Sequence, residues 1–138
     1  MTDTILRKSI YLRATKAQVW VYLTEPEKLA IWFHKPKTPL AEGEEYSMFG
    51  TESGNCLMWG KVKEMRPHDY LEYTFTIAPM GDATSTVKWL LDEVPGGTRL
   101  SLEHSGLPEG EEAFGLMLAL DKGWEDHMAR MRASLHED

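Results

Sequence analysis

Between residues 70 and 104 apolar and polar positions alternate. Leu71, Tyr73, Phe75 and Ile77 stand against Tyr70, Glu72, Thr74 and Thr76, and Val87, Trp89 and Leu91 stand against Thr86, Lys88 and Leu90. A period of two places each set on one face of a strand, so one face of the resulting sheet is apolar and has to be covered. The same reading predicts strands over 4–13, 44–49, 55–66, 70–77, 84–92 and 98–104, which makes six strands, or seven. In the first of these Leu6, Ile10 and Leu12 share a face, with Lys8 the misfit. From the second strand onward the separators are short and most are rich in Gly or Pro, as at Pro95-Gly96-Gly97, so an antiparallel meander is the economical topology.

Two short helices are expected after the first strand. Thr15 and Gln18 have the spacing of a capping box, in which each side chain satisfies an orphan backbone N–H, and this starts a helix over 16–23. Thr24 and Glu27 repeat the spacing, with Pro26 in the first turn, and start another over 26–33. Pro36, Pro39 and Gly43 make 35–43 a loop. At the other end Ala113, Met117, Leu120, Trp124, Met128, Met131 and Leu135 recur at steps of three and four, the apolar stripe of a long helix that covers the sheet. Leu116 to Leu120 is apolar all round, so Leu116 or Leu118 should meet the short helices or a second subunit. The prediction is a single α+β domain over 1–138: a curved antiparallel sheet around a long C-terminal helix.

Composition narrows the partners. The 138 residues carry 15 Lys+Arg against 22 Asp+Glu, a formal net charge of −7, which opposes the attraction on which non-specific nucleic-acid binding depends. No apolar run is long enough to cross a bilayer, and the N-terminus has no secretory core, so a cytoplasmic location is expected. Cys56 is alone; with no cation close in sequence to lower its pKa, it reads as a buried, inert thiol. Eight Met, five Trp and five Tyr are many for so short a chain, and these are adaptable, polarizable side chains that suit both cores and apolar ligand sites.

The order of elements resembles the START-like, or SRPBCC, superfamily, whose birch-pollen-allergen fold is called the helix grip. Within it the chain is similar to the branch named for the activator of the heat-shock-protein ATPase. The matching residues are Val19-Trp20, Leu23-Thr24-Glu25-Pro26-Glu27-Lys28-Leu29-Ala30 with Trp32, Gly60-Lys61-Val62 leading to Pro67, Gly97-Thr98-Arg99-Leu100, His104-Ser105-Gly106-Leu107 and Gly123-Trp124. Two positions depart from the family pattern: Thr15 stands where Pro is usual, and Glu25 where Asp is commoner. The resemblance implies a sheet gripping the last helix with a cavity between them. It does not transfer a chemistry, because the superfamily includes carriers, cyclases and co-chaperones.

Candidate chemistry is sparse. No Gly-x-Ser-x-Gly elbow is present, and His34, His68, His104, His127 and His136 show no paired metal-ligand spacing, so neither a catalytic residue nor a metal or cofactor is expected. His104 lies on the inward series with Leu100 and Leu102, either as a satisfied core histidine or as a polar anchor for a guest. Asp121 is the one carboxylate at the edge of the helix stripe that is positioned to reach a cavity. The expected ligand wall comprises Tyr46, Met48, Met58, Tyr73, Phe75 and Trp89 from the sheet, Met117, Trp124 and Met128 from the long helix, Trp32 and His34 at the second short helix, and His104. Three functions follow in order. The first is non-enzymatic binding of a small apolar or aromatic molecule. The second is protein binding of the chaperone-activator kind through Leu116 to Leu120, and the third a cyclase or aromatase in which His104 or Tyr73 moves a proton.

Overall fold

The computed structural model describes residues 5–50, 53–81, 83–108 and 110–136. Its strands are Leu6–Leu12 (β1), Lys35–Pro36 (β2), Glu45–Phe49 (β3), Cys56–Arg66 (β4), Tyr70–Phe75 (β5), Ser85–Val94 (β6) and Gly97–Ser105 (β7). Its helices are Lys16–Thr24 (α1), Pro26–Trp32 (α2) and Phe114–Leu135 (α3). The strands form a seven-stranded sheet in the order β1-β7-β6-β5-β4-β3-β2. From β2 to β7 this is the meander read from the hairpins. β1 then pairs with β7, Leu6 opposite His104 and Leu12 opposite Thr98.

The alternation reading places the faces correctly in the centre of the sheet. Leu71, Tyr73, Phe75, Val87, Trp89, Leu91, Leu100 and Leu102 are all buried. The seventh strand comes from the segment expected to be a loop, where Lys35 and Pro36 pair with Phe49 and Met48. A strand of two residues has no period to detect, and proline is tolerated there because β2 is the sheet edge. Thr4, placed in the first strand by its sequence, lies outside the described residues.

Local chemistry explains the helix starts, with one difference from expectation. The Thr15 hydroxyl accepts from the Gln18 N–H at 3.1 Å and the Gln18 amide oxygen accepts from the Thr15 N–H at 2.8 Å, a complete capping box. Thr24 forms no second box. Helix α1 runs through it, its hydroxyl donates back to the Trp20 carbonyl at 2.9 Å, and Glu25 caps α2 by backbone alone.

The terminal helix is fastened along its length by polar contacts. Lys8, the misfit of the first strand, pairs with Asp121 at 2.8 Å, so that carboxylate is held at the helix flank and does not enter the interior. The Tyr22 and Ser134 hydroxyls are 2.7 Å apart, and the Arg13 N–H donates to His136 Nε2 at 2.8 Å. Cys56 is exposed, against the expectation of a buried thiol. It is the first residue of β4, where the β3–β4 register shifts between Met48 and Phe49 and the inward period is broken.

The close approach of β4 to β5 depends on a missing side chain. Across the sheet from Tyr46, Gly60 lies so close to β5 that an added Cβ would fall 2.2 Å from the Thr74 carbonyl oxygen. That carbonyl accepts from the Tyr46 hydroxyl at 2.5 Å, and the Lys61 N–H donates to the Thr74 hydroxyl at 2.8 Å. The β4–β5 register shifts just beyond, between Val62 and Glu64, as at a bulge that bends a strand. Gly60→Ala is therefore expected to lower the unfolding free energy by about 2 kcal/mol or more, the scale of overpacking against backbone, as read from the denaturant midpoint.

Candidate ligand-binding site

Where α3 crosses the sheet its second half is solidly packed. Trp124, Met128 and Met131 are buried, and Trp124 stands edge-on to Trp89, with ring centroids 5.5 Å apart. Phe33 stacks on Trp124 at 5.2 Å and Trp32 meets Trp89 edge-on at 5.8 Å, which joins α2 to the same cluster. Edge-to-face and offset geometries of this kind suit the ring quadrupoles and leave little space between rings.

A single directed chain of hydrogen bonds runs through this cluster. The indole N–H of Trp124 can only donate, so His104 Nδ1, 2.9 Å away, accepts. The proton of the neutral imidazole is then on Nε2, which donates to the Ser85 hydroxyl at 2.8 Å, and Ser85 donates to the Phe75 carbonyl at 2.8 Å. Burial lowers the His104 pKa to about 4, which keeps the ring neutral at pH 7. Both ring nitrogens are engaged inside the protein, and neither is available to a guest. The Tyr73 hydroxyl likewise accepts from the Trp89 N–H at 3.0 Å, and burial raises its pKa.

The space lies under the first half of α3. A partly open cavity of about 260 Å³ is lined by Leu116, Ala119, Leu120, Gly123, Trp124 and His127 of α3, Phe33 and His34 at the end of α2, and Met58, Phe75, Ile77 and Pro79 from the sheet side. Of the twelve residues selected from sequence, His34, Met58, Phe75 and Trp124 line it. Trp32, Trp89, His104 and Met128 are buried behind this wall, while Met48, Tyr46 and Tyr73 are buried elsewhere in the core, the two tyrosine rings 5.4 Å apart. Met117 is half-buried and outside the lining.

The α3 wall escapes a reading that treats one apolar stripe as the whole interface. Leu116, Gly123 and His127 form a second series at steps of seven and four, one position to the side of Met117, Trp124 and Met128, and line the cavity together with Leu120 and Trp124 of the first. Leu116 lines the cavity together with Phe33 and His34 at the end of α2, while Leu118 is exposed.

The rim is polar on one side. His34 and His127 stand edge-on with centroids 5.3 Å apart, and His127 Nδ1 is 2.9 Å from the Trp32 carbonyl, with the Arg130 guanidinium also against it. Burial and Arg130 lower the His34 pKa, and burial followed by His34 takes His127 to about 4. Among the described residues no group of three His, Cys, Asp or Glu could hold a metal, and no helix is long and apolar enough to cross a membrane.

A sheet gripping a terminal helix, two short helices after the first strand and a cavity under that helix define a helix-grip domain of the START-like class. The chain belongs to the family described as Activator of Hsp90 ATPase homolog 1-like protein, whose profile matches residues 13–136. No curated protein matches it. Among solved structures it is similar to DynU16, a putative protein in the dynemicin biosynthetic locus, with TM-score 0.83 and 22% identity over 97% of this chain and 48% of that one. This chain thus spans about half the length of DynU16. It is also similar to CalU16 from Micromonospora echinospora (TM-score 0.73, 24% identity, 96% of this chain and 73% of that one). The Aha1 dimer from Colwellia psychrerythraea matches at TM-score 0.78 and 16% identity, over 96% of each chain. At these identities the likeness is one of fold.

The depressed histidines make stability depend on acidity. An unfolded histidine takes up its proton near pH 6.5, whereas His104 and His127 stay neutral in the fold down to about 4. Their contribution is complete above the unfolded value and is lost as pH falls from 6.5 toward 4, by at most about 1.4 kcal/mol per unit for each group. Denaturant midpoints measured at pH 7, 5.5 and 4.5 should fall in that order, and the fall should be smaller in His104→Gln, whose amide does not titrate.

Proposed function

We propose that the chain binds a small apolar or aromatic molecule, without catalysing a reaction on it, in the cavity under the first half of α3. The observation that carries this reading is the contrast within one interior. Beneath Met128 and Met131 the packing is closed, whereas beside Leu116 and Leu120 about 260 Å³ is open and walled by apolar side chains. Empty apolar space sacrifices dispersion contacts and destabilises a core in proportion to its volume, so a cavity of this kind is a cost that a guest offsets.

Size limits the guest. An apolar cavity of roughly 150 Å³ holds benzene, and pockets for drug-sized ligands begin near roughly 300 Å³. The present volume suits one ring or two fused rings. The non-enzymatic part of the reading is supported by the placement of His104 and Tyr73, the groups a cyclase would use, which are outside the cavity lining and already bonded to other side chains.

A second reading, protein binding, is favoured by Phe114 and Leu118, which lie one turn apart on α3 and are 60% and 57% exposed. It accords with the family's chaperone-activator name and with the dimeric Aha1 neighbour. A partner on this face, whether a chaperone or a second copy, would cover two large side chains without entering the cavity.

Two glycines of α3 separate the effects of helix propensity and cavity volume. A Cβ on Gly115 or on Gly123 meets nothing within 4 Å, but only Gly123 lines the cavity. Each Gly→Ala change should raise stability by about 0.5–1 kcal/mol through helix propensity. Gly123→Leu should abolish the rise in melting temperature that saturating indole produces in the unmodified protein, and Gly115→Leu should preserve it. Absence of any rise with indole and similar one- and two-ring compounds, or an equal rise in Gly123→Leu, would refute the binding reading.

A further inference from the structure

The cavity has an uneven border. Its floor and most of its wall are hydrocarbon, from Phe33, Phe75, Leu116, Leu120 and Trp124, and its polar groups are gathered on one side at His34 and His127. Outside the lining itself, Arg130 follows His127 by one turn of α3, is exposed, and lies against His127 Nδ1. Among the described residues it forms no ion pair.

The hydrogen-bond inventory of this corner leaves donors over. Nδ1 of His127 is within reach of both the Trp32 carbonyl, which only accepts, and the Arg130 guanidinium, which only donates. One nitrogen with either a proton or a lone pair cannot serve both. A guanidinium carries five N–H groups in a planar fork, and at most one is used on this ring, so the geometry matching a carboxylate is unoccupied. The nearby carboxylate on the same helix, Asp126, is 3.3 Å from Lys122 and is answered by that cation. The overall charge of −7 does not cancel the local one, because exposed charges farther away than about 8 Å are largely screened at physiological ionic strength.

We propose that the guest is a compact aromatic carboxylate, with its ring or rings between Phe75, Leu120 and Trp124 and its carboxylate at the rim on Arg130 beside His127. This rests on the binding reading above and adds the class of molecule. An apolar body alone is held without direction. The cation at one edge gives the site a polarity, so the acid enters ring first and leaves its charge in contact with water and Arg130, where it is not desolvated without compensation.

The test uses 2-naphthoate and its neutral isostere 2-naphthamide, titrated calorimetrically into the full chain at pH 7. The unmodified protein should bind the acid about tenfold more tightly than the amide, the scale of one charge-assisted contact. Arg130→Gln, at an exposed position where folding is not at stake, should bring the two affinities together by weakening only the acid, and Arg130→Lys should retain part of the preference. Equal affinity for acid and amide in the unmodified protein, or a preference that survives Arg130→Gln, would overturn the carboxylate assignment and leave the cavity reading standing. Failure of both compounds to bind would overturn the two together.

Discussion

The bond between the Trp124 indole and the buried His104 imidazole is the constraint on which the arrangement of helix and sheet depends. An indole N–H donates only, so it sets the tautomer of the ring. The tautomer in turn sets the direction of the bond to Ser85, whose own hydroxyl donates to the Phe75 carbonyl. Four groups on α3, β7, β6 and β5 are thereby aligned with no polar atom left over, and a buried network of this kind is worth most when every member is satisfied. Because the alignment requires a neutral imidazole, a fold held in this way is sensitive to acid.

Fixing Trp124 at one point of α3 divides the helix. Toward its C-terminus Met128 and Met131 fill the space down to the sheet, and His136 and Ser134 are tied to Arg13 and Tyr22. Toward its N-terminus no residue before Trp124 is buried, and the helix lies over the sheet with a gap that Leu116, Leu120 and Gly123 border. The Lys8–Asp121 pair stands at this division and holds the helix flank to β1. The cavity is thus a consequence of where the helix is anchored, and its polar rim comes from His34 and from His127, one turn past the anchor, with Arg130 against it.

Much of the fold was legible in the sequence, because strands buried on one face have a period and helices have start signals. The alternation from Leu71 to Leu91 and the Thr15–Gln18 box are local patterns that need no tertiary contact to be seen, and the family likeness extended the same outline along the chain. What escaped depended on contacts distant in sequence. β2 has two residues and exists only because Met48 and Phe49 offer a partner. Cys56 stands where the register of β4 against β3 shifts, and Thr24 has a capping residue's spacing yet falls inside α1. The site was legible in part for a related reason. Residues from the inward series are equally apolar whether they border a void or pack against one another, and only the helix position separates Met58 and Phe75, at the cavity, from Tyr73 and Trp89, packed in the core. His127, on the flank of the main stripe, takes a role only through the second series of which it is part.

The interior is open beside Leu116 and Leu120 and closed beneath Met128 and Met131, and on that contrast the proposed binding role stands. A crystal structure under xenon pressure tests it directly, since xenon enters apolar space and is visible there whatever the natural guest. Xenon is predicted between Leu116, Leu120, Phe75 and Trp124, and none beneath Met128 and Met131. Xenon beneath Met128 and Met131, or an interior that admits none, would contradict the contrast.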